Sequence, residues 1–272
     1  MPWAKNILET SLRPIAEQGY LIVAQNSSQV NYVDCAVTLA GTIRHWHPDA
    51  QICLLTDETA ISNTLFNYVH QLSEPLNTNP YANDWQVVDK TPFRETIKLE
   101  ADMLITSPID HWWNMLRHRD VVVSTGCRDW KDQTAKTRHY RQVFDNNNLP
   151  DVYNAITYWR RSKTSQTFFN TVRSIFENWS EYRKLLKFPE DVPSTDVVYA
   201  MAANIVGAEQ CTMPFADYPR IVHMKRHVAG TQTEDWTREL NWEYRDCLLR
   251  VNTVAQSGAF HYNVKEWHRG LD

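Results

Sequence analysis

Glycine is scarce, with seven in 272 residues. Neither G-x-G-x-x-G nor G-x-x-x-x-G-K-[ST] is found, which excludes the glycine-rich phosphate loops that those motifs build. Cysteine is sparse as well: Cys35, Cys53, Cys127, Cys211 and Cys247 are odd in number, scattered, and form no C-x-x-C. That argues against a disulfide framework or a zinc site and fits free thiols in a reducing compartment. No apolar run approaches the roughly 18 residues of a membrane span, and the amino terminus lacks a basic-then-apolar signal pattern. The expectation is a soluble cytoplasmic protein without a membrane partner. A formal net charge of −4 provides no global attraction for nucleic acid, so only a local patch could serve that role. Apolar and aromatic residues are plentiful, at 43% hydrophobic with eleven Trp and twelve Tyr. This length and content suit one large core, and 1–272 reads as a single domain without internal repeats.

Tyr20-Leu-Ile-Val-Ala24 is a short continuous apolar run, as a buried parallel strand shows, and it stops at the polar Gln25-Asn-Ser-Ser28. Val33, Ala36, Val37, Ala40 and Ile43 then follow helical spacing until Pro48. Gln51-Ile-Cys-Leu-Leu55 reads as a second buried strand ending at Thr56-Asp57. Strand, helix, strand is a βαβ unit, which implies α/β architecture with a mostly parallel sheet flanked by helices. Ligands of such sheets sit beyond the carboxyl ends of the strands, where Gln25, Asn26 and Asp57 lie. The same polar groups could instead cap helices or satisfy loop backbone.

Further along, the pattern predicts a helix around 60–68, a loop over 72–83, a short strand at 85–88, and the last turns of a helix over 93–98. On that helix Arg94 and Lys98 would stand one turn apart, placed to meet phosphates or simply solvated. A strand over 99–104 follows, carrying Glu100-Ala101-Asp102 between Ile97, Leu99, Met103, Leu104 and Ile105. Two carboxylates in an apolar run are costly to bury without a neutralising partner. Spaced two apart, they can face one cavity, where a hard cation such as Mg²⁺ or Mn²⁺ would neutralise them. Half-exposed acids at a strand–loop junction are the other reading.

Strands are expected at 120–124, 152–159 and 219–225, with helices over 164–179 and from Ser194 onward, where Asp196 could serve as a cap. His223 ends an apolar strand beside Lys225 and Arg226. The tail from Asp235 is expected to be helical, with a closing segment at 260–267. Between these elements Arg128, Lys131, Lys136, Arg138 and Arg141 outnumber Asp129 and Asp132, and Trp130, His139 and Tyr140 interleave with them. Aromatics among cations suit a polyanion with exposed planar groups, such as DNA or RNA, as well as they suit a solvated loop.

In order along the chain, Val23-Ala-Gln-Asn26, Tyr32-Val33, Lys98-Leu-Glu-Ala-Asp-Met-Leu104, Tyr153-Asn-Ala-Ile156, Thr195-Asp196 and Val222-His-Met-Lys225 resemble GT-A glycosyltransferases of the glycogenin and galactosyltransferase type. The resemblance covers about 20–230 and implies a nucleotide-sugar half (about 20–125) and an acceptor half (about 126–272). It implies a UDP-sugar donor, uridine held by Gln25, Asn26, Tyr32 and Asp57, and a divalent metal on Asp102, His223 and Glu100. Lys225, Arg94 and Lys98 would add charge at the diphosphate. Asn154 and Asp196 would lie near the sugar, and Asp196 or Asp129 would accept a proton if the reaction inverts the anomeric centre. Three features depart from the family: Glu100 replaces the first Asp, Ile156 replaces a Gly, and no Lys-Pro-Trp follows His223. The phrases Leu21-Ile-Val-Ala-Gln-Asn26 and Asp151-Val-Tyr-Asn-Ala-Ile-Thr-Tyr-Trp159 are also similar to T-even-type bacteriophage enzymes that attach sugars, including arabinose or glucose, to 5-hydroxymethylcytosine in DNA. That resemblance implies a DNA acceptor contacted by Arg128, Trp130, Lys131, Lys136, Arg138, Tyr140 and Arg141, in the host cytoplasm. A non-catalytic nucleotide-binding module, a transferase with a non-DNA acceptor, and a metal-dependent nucleotidyltransferase or phosphohydrolase are the competing readings.

Overall fold

The computed structural model describes residues 14–73, 80–134, 141–214, 218–224, 228 and 230–271, and every statement of number or absence below concerns these residues. The chain runs β1 (Ala16–Ala24), α1 (Tyr32–Trp46), β2 (Ile52–Thr56), β3 (Tyr68–Gln71), a 3₁₀ turn (Pro80–Gln86), α2 (Val87–Lys90), β4 (Phe93–Glu100), β5 (Met103–Ile105) and α3 (His111–Leu116). It continues with β6 (Val121–Thr125), α4 (Arg141–Asn146), β7 (Val152–Arg160), α5 (Lys163–Glu177), α6 (Trp179–Leu186), α7 (Thr195–Val206) and α8 (Ala208–Cys211). The last elements are β8 (Ile221–Met224), α9 (Trp236–Glu239), β9 (Trp242–Arg245), β10 (Leu248–Val251), β11 (Val254–Ala255), β12 (Ala259–Tyr262) and a closing 3₁₀ turn (Trp267–Gly270).

The main sheet has the order β3-β2-β1-β4-β7-β6. Its first four strands pair in parallel, and β7 runs antiparallel to both β4 and β6. This is the expected mostly parallel α/β sheet. Strand side chains alternate between faces, so Tyr20, Ile22 and Ala24 pack with α1 while Leu21 packs with α5 and α7. A second sheet, β5-β12-β8, and a β11-β10-β9 meander enclose a third core around Trp236, Phe260 and Trp267.

Four expectations are corrected. Residues 60–67 contain no helix, because tertiary hydrogen bonds take their backbone: Arg44 donates to the Leu65 carbonyl, and Asn67 bonds Ile52 through both backbone and side chain. Residues 85–88 are helical rather than a strand. The 93–98 segment is not helical but belongs to β4, a central strand hydrogen-bonded on both sides. The tail is mainly β, since Asp246 and Cys247 both take positive φ (50° and 59°) and turn β9 into β10. Paired positive φ matches a two-residue hairpin turn, but Asp-Cys lacks the glycine that advertises one.

The strand expected over 99–104 is interrupted where it matters. β4 ends at Glu100, the chain bends at Ala101-Asp102, and β5 joins the second sheet. That sheet brings β12 against β5, with Phe260 opposite Leu104 and His261 opposite Met103. On the other side of β12, Gly258 permits a close approach to the start of β8: its φ is +79°, and an added Cβ would lie 2.8 Å from the Arg220 carbonyl oxygen.

Candidate metal and nucleotide site

The bend after β4 separates the two acids by exposure. Glu100 stays at the strand end with 26% of its side chain exposed, whereas Asp102 is buried. His261, on β12, is fully buried, with Nε2 2.8 Å from Asp102 Oδ2 and Nδ1 3.4 Å from Glu100 Oε2. One ligand atom from each of Glu100, Asp102 and His261 lies within 4.8 Å of the others. Lys265, just beyond β12, forms an ion pair with Asp102 Oδ2. Two carboxylates and an imidazole form a donor set that suits Mn²⁺ or Mg²⁺, so these residues fit a divalent cation.

His223 lies beside this cluster rather than in it. It pairs with His261 across the parallel strands β8 and β12, and its Nδ1 is 2.7 Å from Tyr153 Oη. His261 was missed from the sequence, although a signal was present. Lys265-Glu-Trp267 follows it, close to the Lys-Pro-Trp sought after a late histidine and not found after His223. Lys225 lies outside the described residues.

Beyond β1 and β2 the structure brings Asn26 and Asp57 together. The Asn26 backbone donates to Asp57 Oδ1 at 3.0 Å, its side-chain amide donates to Glu58, and its Oδ1 accepts from Val33 N in the first turn of α1 at 3.2 Å. Gln25 Oε1 accepts from Asn83 at 2.8 Å. Tyr32 lies with its ring centroid 5.4 Å from Lys265 Nζ, which links this set to Asp102.

Arg94 and Lys98 do not join them. Arg94 opens β4, roughly 20 Å along the strand from Glu100, and lies 3.7 Å from Glu17. Lys98 is buried and donates to both Asp84 oxygens at 2.7 and 2.6 Å. Tyr199 Oη also donates to Asp84, and Asn154 Nδ2 lies 3.5 Å from it. Burial, followed by Asp84, pushes the Tyr199 phenol well above its ordinary range.

Asn154 and Asp196 are in direct contact. Asp196 Oδ1 accepts from Asn154 N at 2.7 Å, and Asn154 Oδ1 accepts from Thr157 at 2.6 Å. Asp196 thus ties α7 to β7, and Ser194 occupies the N-cap position. Asp129 accepts from the Lys131 and Gln133 backbones at 2.8 and 3.0 Å. Its loop lies against β8, where His223 N donates to the Arg128 carbonyl at 2.7 Å.

In the basic segment, Trp130 is buried in the third core, with Lys131 Nζ 5.0 Å from its ring. Arg128 and Arg220 converge on Asp132 at 3.1 and 2.7 Å. Buried in that core, Trp130 does not present its ring to a DNA acceptor, contrary to expectation. Lys136, Arg138, Tyr140 and the side chain of Arg141 lie outside the described residues.

No family model matches the chain, and no curated protein matches it. Solved structures do. The galactosyltransferase LgtC, in complex with donor and acceptor sugar analogues, superposes over 93% of this chain and 90% of its own at 15% identity, with TM-score 0.50. Mouse xyloside xylosyltransferase 1 in its apo form superposes over 92% of this chain and 99% of its own at 9% identity, with TM-score 0.53. The fold is that of GT-A glycosyltransferases. No helix among the described residues is long and apolar enough to cross a membrane.

Proposed function

We propose that this chain transfers a sugar from a UDP-sugar to a hydroxyl acceptor, with a divalent cation held by Glu100, Asp102 and His261. The observation that carries the reading is that cluster, set at the carboxyl end of the central strand β4, while Asn26 and Asp57 follow the carboxyl ends of β1 and β2 in the same sheet. The cation would neutralise the diphosphate and stabilise departing UDP. Gln25, Asn26, Tyr32 and Asp57 hold the uridine. Lys265 exchanges Asp102 for a phosphate oxygen when donor binds, and Lys225 belongs to the same charge set on sequence alone. Asn154 and Asp196 face the sugar, with Asp196 held by the Asn154 backbone N–H and the Asn154 side chain held by Thr157. Asp196 takes the acceptor proton if the anomeric centre inverts, with Asp129 on the acceptor side.

The proposed acceptor is the hydroxymethyl group of 5-hydroxymethylcytosine in DNA. Its support is the sequence resemblance and the basic segment, of which Lys131 lies at the surface. To test this, a panel of UDP-sugars is incubated with Mn²⁺ and with hydroxymethylcytosine DNA, unmodified DNA or free sugars, and products are read by mass spectrometry. Metal-dependent UDP release with a mass gain on the modified DNA is expected. Transfer only to another acceptor overturns the DNA assignment. Nucleotide binding without UDP release from any donor overturns the enzymatic reading in favour of a binding module.

A further inference from the structure

Tyr153, on β7, is buried between two imidazoles. Its Oη lies 2.5 Å from His261 Nδ1 and 2.7 Å from His223 Nδ1. The two rings are T-shaped with centroids 6.4 Å apart. A phenol has one proton to donate and lone pairs to accept, so between two imidazoles it donates to one and accepts from the other.

We propose that Tyr153 is a positioning residue whose hydroxyl sets the tautomer of His261 and relays the state of the metal cluster to His223. The inference rests on the metal reading given above. An imidazole offering Nε2 to a cation carries its proton on Nδ1. At His261 that N–H donates to Tyr153 Oη, the Tyr153 proton goes to His223 Nδ1, and His223 keeps its own proton on Nε2. When His261 Nε2–H instead donates to Asp102 Oδ2, the order reverses. Tyr153 then donates to His261 Nδ1 and accepts from His223 Nδ1–H. Both arrangements hold the same three protons. On loading, His261 Nε2 gives up its proton to solvent, protons pass from His223 Nδ1 to Tyr153 and from Tyr153 to His261 Nδ1, and His223 Nε2 takes one up from solvent, so no net proton is released or consumed.

Tyr153→Phe keeps the ring and removes the hydroxyl. In the full chain, Mn²⁺ affinity, read from the electron paramagnetic resonance of the free ion, is expected to fall about 10- to 100-fold, the range for losing an outer-shell partner. Nitrogen-15 spectra of histidine-labelled wild type should show His261 and His223 both changing tautomer on Mg²⁺ addition, with the His223 response lost in Tyr153→Phe. His223→Ala should retain measurable Mn²⁺ binding, whereas His261→Ala should not. Equal Mn²⁺ affinity in wild type and Tyr153→Phe, an unresponsive His223 in wild type, or His223→Ala as defective as His261→Ala would overturn the inference and leave the metal reading standing. A wild-type chain that binds neither ion overturns both. The wild-type spectra and His223→Ala decide the matter even if Tyr153→Phe fails to fold.

Discussion

Lys265 forms its ion pair with the same oxygen, Asp102 Oδ2, that lies 2.8 Å from His261 Nε2. One buried carboxylate oxygen therefore serves an ammonium and an imidazole at once, and any cation joining the cluster competes with the ammonium. Burying a carboxylate is costly without such partners. The lysine comes from a turn that also reaches Tyr32 at the start of α1.

Removing Lys265 should consequently separate two affinities. Lys265→Met is expected to bind Mn²⁺ alone several-fold more tightly, because the competitor for Asp102 is gone. The same variant should bind UDP more weakly in the presence of Mn²⁺. Calorimetric titration of each ligand checks both signs, and a parallel loss of both affinities would contradict the competition.

Asp102→Asn should abolish Mn²⁺-dependent UDP release and weaken Mn²⁺ binding by more than about 100-fold, beyond the loss typical of an outer-shell partner. Glu100→Gln should be milder, since Glu100 is partly exposed at the strand end. Equal effects in the two variants would show that the bend does not distinguish the acids.

Lys98 and Asp84 test a structural role. Lys98→Met leaves Asp84 buried without its cation, which should cost about 3–5 kcal/mol of stability. Urea unfolding would measure it, and pairing Lys98→Met with Asp84→Leu should restore part of the loss. A Lys98→Met variant that is fully stable but defective in UDP binding would return Lys98 to the phosphate set.

His47 supplies a pH dependence. Its Nε2 accepts the Ile109 backbone N–H at 3.0 Å, and its Nδ1 lies 3.1 Å from Asp110. Burial lowers its pKa, opposed by Asp110. The folded chain thus takes up this proton less readily than the unfolded chain. This contribution to stability is present above about pH 6.5, the unfolded value, and is lost as pH falls through the lower folded value. His47→Gln can keep both hydrogen bonds and should flatten that part of a denaturation series run across pH 5 to 7.

The sequence by itself determined the βαβ opening and the buried strands around Val122 and Tyr158, and it marked Asp102 as a candidate ligand, because continuous apolar runs and paired acids are local signals. It also marked the polar ends of β1 and β2, where Asn26 and Asp57 meet. The nature of β4 was not legible, since its polar positions Thr96 and Lys98 are matched by Thr91 and Asp84, partners that only the folded chain brings near. For the histidine beside the acid pair, the sequence pointed to His223 and passed over His261. His223 and His261 both sit on short apolar strands, and the pairing of β12 with β5, 159 residues apart at His261 and Asp102, selects between them. Tertiary structure also withdrew Trp130 from the surface, because the third core forms from segments far apart in the chain. Local pattern records which residues can be buried, whereas long-range strand pairing decides which of them face one another.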